Sequence, residues 1–200
     1  MSVPMALFDL IPVILFLLSS LIIMRGIYHM ASKGAFALAS GGMIVIFIAG
    51  TLKALYKLLV AFDICEYTVL NDAFFPMQTT GFMMAALGLC SMLLFSQKEK
   101  AAFAAVPFTS KMPFVALLIL GTAGFSISLC VLAFRMKKRL AGVLLIVYLA
   151  AMLGMGYLSS RDFSDPGMNW IGEGVNVFGQ LLLLISVRSL DKAGLEKFEL

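Results

Sequence analysis

Apolar runs about twenty residues long recur along this chain of 200 residues, and they constrain its fold more than any other feature. A bilayer core about 30 Å thick is crossed by roughly 20 helical residues at about 1.5 Å each. A soluble domain of this size could not enclose so many such runs in one core. We therefore predict an all-α integral membrane protein with six transmembrane helices. Their predicted ranges are Leu7–Met24, Gly34–Phe62, Phe74–Phe95, Pro113–Phe134, Leu140–Leu158 and Met168–Val187.

Composition supports this class and excludes others. Hydrophobic residues make up 62% of the chain and charged residues only 13%, whereas soluble domains carry about 25% charged residues. The net charge of +4 comes from residues beside the apolar runs, where contacts with lipid headgroups are expected, so we expect the bilayer and no nucleic acid as a partner. Three separated cysteines and one histidine predict no metal site, and we expect no cofactor. We predict a single domain over residues 1–200 in a multi-pass plasma-membrane protein.

A weak internal repeat divides the chain near residue 105. Asn71, Gln78 and Gly81 at the start of the third predicted helix have the same spacing as a second set at the start of the sixth. The second set is Asn169, Asn176 and Gly179. Because each half has three helices and successive crossings alternate in direction, we expect halves 1–104 and 105–200 to be inverted repeats. Inverted repeats are a common plan for transporters whose binding site lies between the halves.

Positive charges near the ends of membrane helices indicate which side is cytoplasmic. With six alternating helices, one face would carry six basic residues and the other seven, a slight excess. Four basic residues lie close together in the short segment 135–139 on the second face. Both chain termini would lie on that same face. This arrangement favours both termini in the cytoplasm.

The sixth predicted helix carries the strongest candidate site. A carboxylate and three amides, Asn169, Glu173, Asn176 and Gln180, follow the spacing i, i+4, i+7 and i+11 and therefore share one face. Polar side chains at membrane depth face the bundle interior or a wet cavity. One interpretation is a ligand or ion site, and the other is hydrogen bonding that holds helices together.

Two further groups of residues extend this candidate site. In the third helix, Asn71 and Gln78 flank Pro76, which frees a backbone carbonyl. In the second helix, Lys53 and Lys57 either pair with Glu173 or bind an anionic ligand, or they extend to the headgroups instead. The predicted ligand-binding residues are Asn71, Gln78, Asn169, Glu173, Asn176, Gln180, Lys53 and Lys57.

These residues favour a small transporter or channel subunit with a polar intramembrane site between the third and sixth helices. Glu173 would be the coupling or ion-binding carboxylate, and the ligand a small molecule or ion. The alternative is a ligand-sensing or assembly subunit that acts through a partner membrane protein or a second copy. An intramembrane enzyme is the third hypothesis, and we predict no catalytic residues because the sequence shows neither a carboxylate pair nor a Cys/His dyad at one depth.

Overall fold

The computed structural model describes residues 3–94, 111–158 and 166–198, with side chains for all but residues 111–114, 156–158 and 166. Every regular element within these ranges is helical. The helices are α1 (Val3–Phe8), α2 (Leu10–Ile27), α3 (Lys33–Ala61), α4 (Thr68–Asp72), α5 (Phe74–Leu94), α6 (Lys111–Arg135), α7 (Arg139–Leu158) and α8 (Pro166–Lys192), followed by a short 3₁₀ helix at Leu195–Lys197.

Five stretches are long and apolar enough to cross a membrane. They are Val3–Ile27, Lys33–Ala61, Thr68–Leu94, Val115–Arg135 and Gly167–Lys192. The fifth predicted helix, α7, is also apolar, but its stretch Arg139–Met155 is shorter than the five stretches above. The structure therefore confirms a helical protein with several potential membrane spans, and the sixth crossing remains a prediction.

The outer surface of these helices is apolar. Along α1 and α2, five exposed residues follow one helix face, and all of them are leucine or isoleucine: Leu7, Ile11, Ile14, Leu18 and Leu21. The opposite face buries Phe16 and Ile23 in the core. A helix that is apolar on both its inner and its outer face belongs inside a large core or in a bilayer. Since the outer face here is exposed, these helices are suited to contact lipid.

Hydroxyl side chains within the helices bond to their own backbone. Each of seven serines and threonines donates to the carbonyl four residues earlier, a common solution where no water is at hand. They are Ser19, Ser40, Thr51, Thr79, Ser126, Ser128 and Ser186. These bonds satisfy hydroxyl donors inside the apolar helices.

The six long helices form a closed ring in chain order, because α2 packs against both α3 and α8. The closest contact is between α3 and α5, where small residues let the backbones approach. A Cβ at Gly42 would overlap the α5 backbone, and a Cβ at Gly88 would overlap the α3 backbone at Ala39. The third and sixth predicted helices, α5 and α8, are not neighbours in this ring.

Helices α5 and α6 run in the same direction. Phe82 in α5 stacks edge-to-face on Phe125 in α6 with ring centroids 5.9 Å apart, and further along both helices Cys90 Sγ lies 3.2 Å from Ser128 Oγ. Leu94 and Lys111 therefore lie at opposite ends of the bundle. The predicted boundary between the halves, residues 104 and 105, lies outside the described residues.

Helices α2 and α8 are also parallel. At one end the rings of Phe8 and Trp170 are 5.6 Å apart, and at the other end Leu195 fills the space beside Gly26. Both three-helix halves consequently run the same way, so the structure does not confirm inverted repeats. The expectation of two termini on one face is likewise wrong for the described chain, because Val3 and Lys197 lie at opposite ends. The error came from assuming strict alternation between α5 and α6.

Candidate functional site

Three charged side chains meet inside one end of the bundle. The ammonium of Lys57 lies 2.6 Å from Glu173 Oε1 and 3.0 Å from Asp9 Oδ1. All three side chains are nearly inaccessible: 11% of Lys57, 7% of Glu173 and 6% of Asp9 is exposed. We call Asp9, Lys57 and Glu173 the charge cluster, and the end of the bundle that holds it the cluster end.

Three separate helical regions supply the cluster. Asp9 occupies the one-residue break between α1 and α2, Lys57 lies one turn before the end of α3, and Glu173 lies in the second turn of α8. Because α2 and α8 are parallel and α3 is antiparallel to both, these positions come to one depth. Phe8 and Trp170 are close to Asp9 and Glu173 in sequence, and their rings contact each other at this end in a tilted arrangement.

The cluster contains more acceptors than donors can satisfy. Glu173 Oε2 is buried and has no hydrogen-bond partner among the described residues. The Asp9 carboxyl is its neighbour, and the two groups would hydrogen-bond if one of them held a proton. With both carboxyl groups ionised, the cluster carries one excess negative charge. An unpaired buried charge is costly, so a proton or another cation at this position would stabilise it.

A polar cavity of about 80 Å³ adjoins the cluster. Its polar lining consists of Asp9, Lys53, Gln78, Asn176 and Gln180. Phe16, Ile46 and Phe82, which lie near the middle of their helices, form its inner wall. This volume holds a few water molecules or a small ion and is well below the roughly 300–1,000 Å³ of typical drug-sized sites.

Lys53 supplies a second cation at the cavity. Its ammonium lies 4.4 Å from the centre of the Phe74 ring, a cation–π contact, and it makes no ion pair within the described part of the chain. It adds a positive charge beside the cavity without pairing directly with the cluster. The cavity thus presents a carboxylate, an ammonium and amide groups to whatever occupies it.

The inner part of the cavity has an unsatisfied amide. Gln180 is buried. Among the residues that the structure describes, its Nε2 reaches only the weak acceptor Met152 Sδ at 3.8 Å, and its Oε1 has no hydrogen-bond partner. The buried hydroxyl of Tyr148 lies close to Gln180 and also lacks a partner in acceptable geometry. Buried polar atoms of this kind are usually satisfied by a water or a ligand.

Six of the eight predicted site residues converge at the cluster end. Glu173 and Lys57 are in the charge cluster, and Lys53, Gln78, Asn176 and Gln180 line the cavity. Lys57 contacts Glu173 rather than the headgroup region. The other two residues lie at the same end but outside the charge cluster and the cavity lining: Asn71 is exposed in α4, and Asn169 is half-buried near the start of α8.

The cavity lies between the third and sixth predicted helices, and other helices also line it. The site is not a contact between two neighbouring helices, because α5 and α8 face each other across a cavity that α2, α3 and α7 also line. Sequence analysis missed Asp9, which joins the cluster to the cavity. A lone carboxylate within an apolar run at membrane depth was the signal that could have identified it.

Asp9 changes one argument about catalysis. Together with Glu173 it forms a pair of carboxylates at one depth, which sequence analysis did not find. Lys57 contacts both groups, however, and offsets the charge that a hydrolytic dyad would use to activate water.

Comparison with known proteins gives no further guidance, because no protein-family model, no curated protein and no solved structure matches the chain.

Proposed function

We propose that the chain is a multi-pass plasma-membrane transporter or channel subunit with six crossing helices, and that it moves a small cation or polar solute. The observation that carries this proposal is the pairing of a buried, acceptor-rich charge cluster with a polar cavity at the same end of the ring. Ionisable residues inside membrane spans are costly, and they commonly mark ion pathways and proton relays.

Glu173 is the proposed coupling residue. Its Oε1 is held by Lys57, while its Oε2 has no donor. Uptake of a proton would join Glu173 to Asp9 by a hydrogen bond and remove the excess negative charge. That change would alter the attraction between α8 and α2–α3, which is how binding of an ion could be coupled to helix movement.

The cavity occupies only part of the length of the bundle. It lies between the cluster end and the middle of the helices, and beyond it the buried side chains of Met43, Phe125, Leu129 and Leu183 fill the ring. A packed apolar layer on one side of a polar site supports a resting state of alternating access, in which the site is closed toward one end.

Proton flux into liposomes tests this proposal. The purified chain is reconstituted with a pH-sensitive dye inside the vesicles. A potassium diffusion potential that is negative inside drives proton entry, and one of the opposite sign drives proton exit. We expect the wild-type chain to exceed empty liposomes and both Glu173→Gln and Asp9→Asn to abolish the difference. Glu196→Gln, a surface carboxylate at the opposite end, is the matched control and should retain the flux. Unchanged flux in Glu173→Gln would remove Glu173 from the proposal.

A second candidate is a ligand-sensing or assembly subunit that works through a partner membrane protein or a second copy. The cavity that ends halfway through the bundle favours it, because a sensor needs a site but no pathway. Absence of flux in the wild-type chain at both potentials, together with a stoichiometric partner after purification from native membranes, would select this candidate.

A further inference from the structure

The two ends of the bundle differ strongly in charge. The cluster end holds the beginnings of α2, α5, α6 and α8 and the ends of α3 and α7. The other end, which we call the basic end, holds their opposite termini and the turn between α6 and α7. From this difference we infer that the basic end faces the cytoplasm and the cluster end faces the opposite compartment. The inference rests on the proposed membrane-spanning arrangement but not on transport.

Within the described ranges, nine lysines and arginines lie at the basic end against two acidic residues. The basic residues are Arg25, Lys33, Arg135, Lys137, Lys138, Arg139, Arg188, Lys192 and Lys197, and the acidic ones are Asp191 and Glu196. The cluster end has three basic residues, Lys53, Lys57 and Lys111, and five acidic ones, Asp9, Asp63, Glu66, Asp72 and Glu173. Among the described residues, the basic end therefore has a threefold excess of lysine and arginine over the cluster end.

This excess matters because it lies in short turns and helix ends. The side chains of Arg135, Lys137, Lys138 and Arg139 are all exposed. Lysine and arginine this close to a membrane helix set orientation, and they are retained on the cytoplasmic side, where anionic lipids attract them. Two of the three lysines at the cluster end carry no such signal, because Lys57 is paired in the cluster and the ammonium of Lys53 lies over the Phe74 ring.

The orientation has two consequences. The charge cluster and the polar cavity lie in the part of the bundle nearer the non-cytoplasmic side. The first described residue, Val3, lies on the non-cytoplasmic side and Lys197 on the cytoplasmic side. The exposed basic turn after α6 lies against the anionic headgroups of the cytoplasmic leaflet.

A native cysteine tests the orientation directly. Cys65 is exposed between α3 and α4 at the cluster end, whereas Cys90 and Cys130 are half-buried in α5 and α6. Intact cells that express the full chain are treated with a membrane-impermeant maleimide–polyethylene glycol, and the mass shift is read on a gel. We expect labelling of the wild-type chain without permeabilisation and none in Cys65→Ser.

The matched probe for the basic end is Gly34→Cys in the Cys65→Ser background. Gly34 is exposed at the start of α3, and a Cβ there meets no atom within 4 Å, so the substitution fits the fold. We expect this cysteine to react only after the membrane is permeabilised. Labelling of Gly34→Cys in intact cells, or of Cys65 only after permeabilisation, would overturn the orientation. Because labelling needs no flux, loss of proton transport with this labelling pattern intact would refute the proposed function alone.

Discussion

Charged side chains connect the region of α2 to the last part of the chain at both ends of the bundle. At the cluster end, Asp9 and Glu173 share Lys57, and all three side chains are nearly inaccessible. At the basic end, Arg25 contacts Glu196 at 3.0 Å, but 70% of the Arg25 side chain and 41% of Glu196 are exposed. The distances are similar, and the surroundings are not.

This difference teaches that distance alone does not measure the importance of an ion pair. An exposed pair is screened and contributes about 0–1 kcal/mol. Removing one partner of a buried pair costs about 3–5 kcal/mol, because a charge is left without compensation in a medium of low dielectric constant. At the basic end, the contact between α2 and the end of the chain comes instead from Leu195, which is buried beside Gly26.

The largest effect is expected from Lys57→Met, which leaves both carboxyl groups without their cation. We expect a loss of about 3–5 kcal/mol, corresponding to a fall in the unfolding midpoint of roughly 6–20 °C. The measurement is the temperature at which Cys90 and Cys130 become reactive to a thiol dye in a Cys65→Ser background. Lys33→Met, an exposed lysine at the basic end, is the control and should leave the midpoint unchanged.

The triple variant Asp9→Asn, Lys57→Met, Glu173→Gln sharpens this prediction. It removes all three charges together, so we expect it to recover most of the stability that Lys57→Met loses. A triple variant as unstable as Lys57→Met would show that packing of the lysine stem, rather than charge, holds the helices together.

An intermediate effect is expected from Leu195→Ala at the basic end. Leu195 is 1% exposed, and its truncation opens a cavity beside Gly26. Truncating a buried leucine costs 2–5 kcal/mol, and we expect about 2 kcal/mol because this site is near the end of the bundle. The same thiol assay measures it, and a loss as large as that of Lys57→Met would contradict the ranking of the two ends.

The smallest effect is expected from Arg25→Gln. Loss of the exposed pair with Glu196 should cost less than about 1 kcal/mol, and 0.5 M salt should remove even that difference by screening. The unfolding midpoint of Lys57→Met relative to wild type should, in contrast, hardly change with salt. A salt-sensitive Lys57→Met difference would indicate that water and ions reach the cluster.

Sequence alone identified the helices and most of the polar residues at the cluster end, for a definite reason. Apolar run length fixes which segments form membrane helices, and the spacing of Glu173, Asn176 and Gln180 fixes that they share a face. The equal spacing of Gln78 and Asn176 in their respective motifs also corresponds to two positions that line the same cavity.

Helix direction and partner choice lay outside what the pattern could determine. The residue pattern of α5 and α6 does not indicate that the two helices are parallel. Their relative direction is shown only by the contacts of Phe82 with Phe125 and of Cys90 with Ser128. Asp9 was missed for a related reason. Its role depends on α2 meeting α3 and α8 at one depth, which is a property of the assembled ring.

The closed ring has a consequence for biosynthesis. Residues more than 160 positions apart, Asp9 and Glu173, complete the same cluster, and α2 meets its second neighbour only when α8 has formed. During synthesis the nascent chain therefore holds an incomplete set of charges in the membrane until its last sixth is inserted. Chains that terminate before Glu173 would keep this incomplete set of charges. Quality-control proteases of the membrane could use the incomplete cluster to distinguish unfinished chains from finished ones.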